Sequence, residues 1–254
     1  EQKARSAMKG IDIVLHEGAL PSVPKSVDNP AATHKHCVDA TFTLLLAARD
    51  AGIKRFVYAA SSSAYGDTPT LPKIETMAAN PLSPYAAAKL FGEYYCSVFY
   101  KVWGLETISL RYFNVFGPYQ DPTSEYAAAI PAFVTLILKD KSPTIYGDGE
   151  QSRDFTYIDN VVDANLLAAR VKHTAGEVIN IACGQAVTIN RIIGMINKLV
   201  GKNVKPIYAP SRAGDVKHSL ADITLARKTI GFNPAISFQQ GLEKAIGWYR
   251  DNLI

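Results

Sequence analysis

Arg55-Phe-Val-Tyr-Ala-Ala60, followed by Ser61-Ser62-Ser63-Ala64-Tyr65-Gly66, is the stretch that decides the fold. The first six residues suit a buried strand, and the serines place hydroxyl groups where that strand ends. Further along, Ser83-Pro84-Tyr85 predicts the start of a helix, because serine is a good N-cap and proline suits the first helical position. These segments predict a strand, a polar loop and a helix at the carboxyl edge of a parallel sheet, where such sheets bind ligands.

Tyr85 and Lys89 lie four residues apart on this predicted helix, so one turn brings both side chains to the same face. A phenol has a pKa of about 10, and lowering it to neutrality requires roughly 4 kcal/mol of preferential stabilisation of the phenolate. We expect Lys89 to supply part of this, and a cationic nicotinamide ring to supply more. The alternative is a surface pair, but among thirteen tyrosines only Tyr85 has a lysine four residues further on. A general base is therefore favoured.

The composition is that of a globular chain, with 48% hydrophobic residues, 20% charged residues and a net charge of +4. The basic residues are scattered, so no nucleic-acid partner is predicted. Cys37, Cys96 and Cys183 lack metal-type spacing, so no metal site is predicted, and free thiols are typical of a cytosolic protein. No apolar run reaches the ~20 residues of a membrane helix, and no signal-peptide pattern is present. We therefore predict a cytoplasmic protein without a membrane partner.

Strand and helix signals alternate along the first half of the chain. Strands are predicted at 12–16, 55–60 and 106–111, with helices at 31–51 and 85–103. This order predicts an α/β fold with a right-handed parallel sheet covered on both faces. Beyond Pro118 the predicted elements are helices at 127–139, 158–169 and 188–200, short strands near 143–146, 177–182 and 205–208, and two closing helices.

Five motifs, in this order, resemble the extended short-chain dehydrogenase/reductase superfamily, and within it the UDP-hexose 4-epimerases. They are Ser61-Ser-Ser-Ala-Tyr-Gly-Asp67, Tyr85-Ala-Ala-Ala-Lys89, Arg111-Tyr-Phe-Asn-Val-Phe-Gly117, Ser152-Arg-Asp-Phe155 and Arg212-Ala-Gly-Asp215. The resemblance implies a Rossmann-type NAD-binding domain over 1–125 and a smaller α/β substrate domain over 126–254, with 145–182 returning partly to the sheet. It also implies removal of a hydride from carbon 4 of a nucleotide sugar by NAD and its return to the other face of the keto sugar.

The same resemblance implies the catalytic and cofactor residues. Tyr85 would take the proton of the 4-hydroxyl, Lys89 would hold the nicotinamide ribose and lower the pKa of Tyr85, and Ser61 would hydrogen-bond the reacting hydroxyl with Ser63 as a helper. A tight turn is an equal explanation for three serines, so Ser62 has no assigned role. The residues that would line NAD, besides Tyr85 and Lys89, are Glu17, Gly18, Ala19, Leu20 and Phe113.

The substrate residues implied by the resemblance lie mostly in the second half of the chain. Asn114 would meet the diphosphate, Arg153 and Arg212 would pair with its charges, and Asp215 would accept from the uridine ribose. A solvent salt bridge is the alternative for each arginine. The uracil pocket would be lined by Thr144, Ile145 and Tyr146.

The residues beside the catalytic hydroxyl and beside the sugar favour one reaction and one class of substrate. Related dehydratases and decarboxylases carry acidic residues beside the catalytic hydroxyl, whereas Ser62 and Ser63 carry none, which favours simple epimerisation. The family's gate beside the sugar 2-substituent is bulky in enzymes limited to glucose and galactose, and here it is Ser219. With Ser22 in the loop that faces the sugar, this resembles the branch that acts on UDP-N-acetylglucosamine and UDP-N-acetylgalactosamine, typically in polysaccharide biosynthesis. The alternative is a UDP-glucose/UDP-galactose 4-epimerase.

Departures from the family pattern lie near the start of the chain. The glycine-rich turn Gly-x-x-Gly-x-x-Gly is absent, and by analogy it belongs roughly 70 residues before His16. We therefore expect the sequence to be a fragment that by itself binds NAD weakly. Glu17 stands where the family has a small apolar residue and Cys37 where it has an asparagine, and we expect both to weaken NAD binding further. A shortened sugar-nucleotide-binding protein without turnover is the second hypothesis.

Relatives dimerise through a four-helix bundle, so a homodimer through 44–46 and 91–99 is predicted, although these apolar faces would also suit packing on the sheet.

Overall fold

The computed structural model of the chain describes residues 1–122, 128–211 and 216–253. Its helices are α1 (Gln2–Ala7), α2 (Val23–Asp28), α3 (Pro30–Thr33), α4 (Ala40–Asp50), α5 (Pro84–Trp103), α6 (Ala129–Leu138), α7 (Ile158–Arg170), α8 (Ile189–Val200), α9 (Thr224–Ile230) and α10 (Phe238–Leu253). Its strands are β1 (Ile13–His16), β2 (Arg55–Ser61), β3 (Glu106–Tyr112), β4 (Val115–Phe116), β5 (Thr144–Tyr146), β6 (Ser152–Asp154), β7 (Thr156–Tyr157), β8 (Glu177–Ile181), β9 (Ala186–Thr188) and β10 (Ile207–Ala209).

The main sheet has four parallel strands in the order β1-β2-β3-β8. All carboxyl ends therefore lie at one edge, where Ser61 of β2 is paired in register with Tyr112 of β3. Beside β1, no further strand pairs within the described parts of the chain, so its outer edge is open there. The α/β class and the Rossmann-type parallel sheet predicted from the sequence are confirmed.

Helices cover both faces of the sheet because alternate residues of each strand are buried on opposite sides. On one face, Phe56, Tyr58 and Ala60 of β2 pack against α4 and α5. On the other face, Val57 packs with residues of β3, β8, α7 and α9. The sheet is thus a rigid platform for the loops at its carboxyl edge.

The second half of the chain builds a separate apolar cluster from α6, α8 and α10. The cluster also holds Phe116, Ile145 and Phe155, which come from the short strands and the loops beside them. Strand β8 does not belong to it and completes the main sheet instead. A long excursion therefore leaves the sheet after β3 and returns to it at β8.

Short strands link this excursion to the sheet domain, and sequence patterns missed four of them. The pair β4–β7 is parallel and the pair β6–β9 is antiparallel, each only two or three residues long. The helical stretch expected at 31–51 is also divided, because a π-helical turn at His34–Asp39 lies between α3 and α4. That turn buries Cys37 and Val38 beside Ala88 of α5.

No helix within the described residues is both long and apolar enough to cross a membrane. Within the same ranges, no group of three or more His, Cys, Asp or Glu side chains is arranged to hold a metal ion.

Close packing of α5 on the sheet depends on Gly92. A Cβ atom built at this position would lie 2.3 Å from Cζ of Tyr58, which is fully buried. Gly194 is the contrasting helical glycine, because a Cβ atom there meets nothing within 4 Å.

We predict that Gly92→Ala destabilises the protein by about 1–3 kcal/mol, because the methyl group displaces Tyr58 or the helix. Gly194→Ala is the matched control and should stabilise it by about 0.5–1 kcal/mol, because alanine favours helices. The free energy of unfolding, measured in urea for both variants and the wild type, tests the predicted loss and the predicted gain of stability. Equal effects of the two substitutions would contradict the packing described.

Candidate active site

The start of α5 is defined by local capping. The Oγ atom of Ser83 accepts from the Ala86 N–H at 3.1 Å, and Pro84 occupies the first helical position. Gly104, in the left-handed conformation, ends the helix. The predicted helix boundaries are confirmed, and Tyr85 is held on a rigid element directly beyond the carboxyl edge of the sheet.

A buried ion pair fixes α5 against the sheet two turns below Tyr85. Arg111 of β3 donates to both carboxylate oxygens of Glu93, at 2.9 and 2.7 Å, and both side chains are buried. Because Tyr85, Lys89 and Glu93 follow one another at intervals of four residues, they share one face of the helix. The ion pair therefore orients the face that carries the candidate base.

The hydroxyl cluster predicted from the sequence is assembled at this face. Ser61 Oγ accepts from the Ser63 N–H at 3.2 Å and is 2.9 Å from Ser63 Oγ. The Tyr85 phenol lies close enough to the Ser61 hydroxyl for Ser61 to lower its pKa. Ser62 begins a short 3-10 turn. The structure thus brings Ser61, Ser63 and Tyr85 together.

Burial dominates the electrostatics of Tyr85. Desolvation raises its pKa to about 12, and the nearby Ser61 hydroxyl only partly opposes this shift. The Lys89 ammonium donates to the Ala59 carbonyl at 2.7 Å and lies over the Tyr58 ring. That Lys89 lowers the pKa of Tyr85 stays a prediction. A further positive charge is needed to form the phenolate near neutral pH.

Lys89 is itself a buried cation. Burial lowers its pKa, while the nearby Cys37 and Glu17 raise it. His16 also lies near this ammonium, and burial together with Lys89 lowers the pKa of His16 to about 4, so that the imidazole is neutral. Its Nε2 atom is 2.9 Å from Thr41 Oγ1. Lys89 is accordingly the cation of this part of the site.

The loop after β1 borders the cluster, as predicted for residues 17–20. Glu17 accepts from the Tyr112 hydroxyl at 2.9 Å, and Asn165 of α7 donates to the same hydroxyl at 2.8 Å. The Leu20 N–H donates to Cys37 Sγ at 3.4 Å, which ties the loop to the π-helical turn. Sequence reasoning missed Tyr112 and Asn165, although Tyr112 lies inside the quoted Arg111–Gly117 motif.

Phe113 and Gly18 differ in what they present to a ligand. Gly18 is exposed in the loop. Phe113 is fully buried in a cluster with Tyr65, and its N–H donates to the Ile181 carbonyl at 3.1 Å. The Phe113 ring therefore belongs to the core, and the structure does not place it on the surface that the other predicted cofactor residues form.

A second part of the site is a cavity of about 410 Å³, bordered by Asn114 just after β3 and otherwise by residues of the second half of the chain. Five of the predicted substrate residues line it: Asn114, Thr144, Ile145, Tyr146 and Arg153. Aromatic side chains from Phe116, Phe133 and Phe155 complete the apolar wall. The quoted motifs contain Phe116 and Phe155, but their pattern alone did not assign these rings to the wall.

The remaining predicted substrate residues are placed by their hydrogen bonds. Ser22 caps α2, accepting from the Lys25 N–H at 3.2 Å, and the Ser219 N–H donates to the Ser152 carbonyl at 3.0 Å. Asn114 has a positive φ of 35° and donates to the Asp154 carbonyl at 2.9 Å. Arg212 and Asp215 lie outside the described residues.

A parallel sheet with helices on both faces, and a polar cluster and cavity beyond its carboxyl edge, define a Rossmann-type α/β protein whose ligand site lies at that edge. The model of the NAD dependent epimerase/dehydratase family matches residues 1–182. The chain belongs to this family.

Relatives of known type agree with this assignment. A putative UDP-glucose 4-epimerase of Methanocaldococcus jannaschii is 36% identical over 245 residues, covering 96% of this chain and 79% of that relative. The solved structure of a UDP-N-acetylglucosamine 4-epimerase from Methanobrevibacter ruminantium, in complex with UDP-N-acetylmuramic acid, superposes with a TM-score of 0.95 at 41% identity, covering 98% of this chain and 80% of that one. A UDP-glucuronic acid 4-epimerase from Bacillus cereus, with UDP-glucuronic acid and NAD, gives 0.91 at 33% identity, covering 98% and 78%.

The residues at the carboxyl edge fit NAD on chemical grounds. Lys89 has three N–H donors, of which the Ala59 carbonyl takes one, and its charge sits beside the loop at 17–20. Bound NAD supplies a hydride acceptor whose oxidised ring is cationic. Such a charge near Tyr85 is the kind that the buried phenol requires.

Proposed function

We propose that the protein catalyses NAD-dependent epimerisation at carbon 4 of UDP-N-acetylglucosamine and UDP-N-acetylgalactosamine through a 4-keto intermediate. The observation that carries the proposal is the buried Tyr85 phenol, placed on a capped helix close enough to the Ser61 hydroxyl for Ser61 to lower its pKa, in a chain of the NAD dependent epimerase/dehydratase family. The keto intermediate follows from removal of both the hydroxyl proton and the carbon-bound hydrogen. We place this activity in the cytoplasm and in polysaccharide biosynthesis.

In this proposal each residue at the carboxyl edge has one task. Tyr85 removes the proton of the 4-hydroxyl, and Ser61, supported by Ser63, orients that hydroxyl by a hydrogen bond. Lys89 binds the nicotinamide ribose with the N–H donors that Ala59 leaves available. The loop residues Gly18, Ala19 and Leu20 form the wall on which the cofactor rests, with Glu17 held beside them by Tyr112.

In this proposal the positive charge of the nicotinamide ring, in addition to that of Lys89, assists the proton transfer to Tyr85. Burial holds the pKa of Tyr85 at about 12, so the free phenol keeps its proton at neutral pH. A cationic nicotinamide stabilises the phenolate in this poorly solvated place more than it would in water. The base is therefore expected to act mainly when oxidised cofactor is present, which couples deprotonation to hydride removal.

The uridine diphosphate occupies the 410 Å³ cavity in this proposal. Thr144, Ile145 and Tyr146 contact the base, and Asn114 and Arg153 meet the diphosphate. Arg153 already donates to the Ser152 and Lys217 carbonyls at 3.0 Å, which holds its guanidinium along the cavity wall. We assign Arg212 to the second diphosphate charge and Asp215 to the ribose on sequence grounds.

The acetamido substituent is accommodated because Ser219 and Ser22 are small. The M. ruminantium neighbour is named for UDP-N-acetylglucosamine, whereas other neighbours are named for UDP-glucose or UDP-glucuronic acid. A bulky residue at 219 would favour the alternative, an enzyme limited to UDP-glucose and UDP-galactose. A sugar-nucleotide-binding protein without turnover would have no use for the Tyr85, Ser61 and Lys89 set.

We predict that Tyr85→Phe lowers kcat for UDP-N-acetylglucosamine by at least about 100-fold, because the base is removed while the aromatic ring is kept. Tyr100→Phe on the same helix is the matched control, since its hydroxyl faces His173 at the surface, and its activity should be unchanged. A chromatographic assay of the two UDP-N-acetylhexosamines measures both. Full activity in Tyr85→Phe would overturn the proposed function.

The gate is tested by Ser219→Tyr. We expect turnover of UDP-N-acetylglucosamine to fall by about 10-fold or more, and turnover of UDP-glucose to change little, because only the acetamido group needs the space. The ratio of kcat/KM for the two substrates is the measurement. An equal loss for both would show that residue 219 does not read the 2-substituent.

We also propose that the protein forms a homodimer through α4 and α5. Leu45 is fully buried and Leu44 and Leu46 pack on the core, so residues 44–46 do not provide the exposed face that was considered. The exposed large apolar side chains on these helices are Phe42, Phe91, Tyr94, Val98, Val102 and Trp103. The rings of Phe42 and Phe91 both contact Tyr95, which joins the α4 and α5 parts of this surface into one stripe. A second copy would bury this stripe in a four-helix arrangement.

Val98→Asp should convert the dimer into monomer, because it places a charge at the centre of the stripe. Val162→Asp on α7 is the control, because the two valines are similarly exposed, at 43% and 48%. Sedimentation velocity distinguishes the two states. A wild-type protein that sediments as a monomer, or a Val98→Asp protein that stays dimeric, would contradict the proposed interface.

A further inference from the structure

Ser26 is a fully buried serine on α2 whose hydroxyl joins two elements. Its Oγ atom donates to the Val23 carbonyl at 2.6 Å within its own helix, and it accepts from the Tyr85 N–H at 3.1 Å. The two residues in the second contact are 59 positions apart in the chain. A hydroxyl that donates on one side and accepts on the other has a defined orientation.

The Tyr85 N–H has no partner within its own helix. It belongs to the second helical residue, and the first four N–H groups of a helix lack intrahelical acceptors. The N-cap Ser83 takes the next amide, that of Ala86, at 3.1 Å. Ser26 therefore satisfies the one amide that belongs to the candidate base itself.

Helix α2 also carries the turn that is assigned to the sugar. Ser22 caps the helix, and the Ser26 N–H donates to the Ser22 carbonyl at 3.1 Å, so the two serines lie one turn apart. The path from Ser22 to Tyr85 consists of one helical turn and one hydrogen bond. A shift of either element is transmitted directly to the other.

We propose that Ser26 is a positioning residue for the epimerisation: its hydroxyl fixes the main chain of Tyr85 relative to the sugar-facing turn at Ser22. The proposal rests on the proposed role of Tyr85 as the base. Proton transfer requires heavy atoms within about 3 Å, and a misplacement of about 1 Å can cost 100-fold in rate. Ser26 does not contact the reacting atoms and acts through Tyr85.

The first test is Ser26→Ala in the purified protein with UDP-N-acetylglucosamine. We expect kcat to fall by about 10- to 100-fold, with KM and the content of bound NAD unchanged. The deuterium isotope effect on hydrogen at carbon 4 should change, because the geometry of the chemical step is altered. Thr33→Val is the matched control: it also removes a buried hydroxyl, but one that bonds only the Asn29 carbonyl, one turn earlier in the chain. Its kcat should equal that of the wild type.

The second test measures the hydrogen bond itself. By amide hydrogen exchange, the Tyr85 N–H should exchange faster in Ser26→Ala than in the wild type, whereas the Ala86 N–H, held by Ser83, should keep its protection. Ser26→Thr retains the hydroxyl and should restore both the protection of Tyr85 and most of kcat.

Four outcomes separate the possibilities. Unchanged Tyr85 exchange in Ser26→Ala would show that the hydrogen bond does not form, and faster exchange with wild-type kcat would show that it does not position the base; either overturns the proposal. A fall in kcat that Thr33→Val reproduces would also overturn it, as a general packing effect. Activity that survives Tyr85→Phe would instead overturn the proposed function itself.

Discussion

The buried ion pair between Glu93 and Arg111 is the constraint on which the site depends. A charge removed from water is costly unless it is paired, and here Arg111 donates to both Glu93 oxygens at 2.9 and 2.7 Å, although its Nη1 atom has no hydrogen-bond partner among the described residues. The pair joins α5 to β3 in the middle of the protein. Because Glu93 shares a helical face with Lys89 and Tyr85, the geometry that satisfies the charges also determines where the phenol and the ammonium point.

Burial also determines the protonation of the side chains at the carboxyl edge of the sheet. Tyr85, Lys89 and His16 are all shifted toward their neutral forms by desolvation. A site of this kind is nearly inert until a ligand brings a charge into it. The nicotinamide ring of the family's cofactor is cationic when oxidised and neutral when reduced, so the proton affinity of Tyr85 would follow the redox state of that ring. Substrate oxidation and proton removal are then linked by electrostatics.

Local signals in the sequence predicted the sheet strands, the capped helix and the residues at the carboxyl edge. Serine caps, a proline at the first helical position and glycine stops act within a few residues, so they are readable without the fold. Contacts between distant segments were not readable: Ser26 with Tyr85 and Glu17 with Tyr112 are 59 and 95 residues apart. The short strands β4, β6, β7 and β9 also escaped, because segments of two or three residues carry too little periodicity. The hydrogen bond from the Lys89 ammonium to the Ala59 carbonyl was not readable either, since spacing shows that two side chains share a face but not where an ammonium donates.

The measurement that tests the account most directly is the fate of deuterium at carbon 4. UDP-N-acetylglucosamine labelled at that carbon would be incubated with the purified protein in ordinary water, and the product examined by mass spectrometry and NMR. If a hydride is removed and returned within one site, the UDP-N-acetylgalactosamine formed retains the label at carbon 4. Loss of the label to solvent, or the absence of any conversion, would contradict the account.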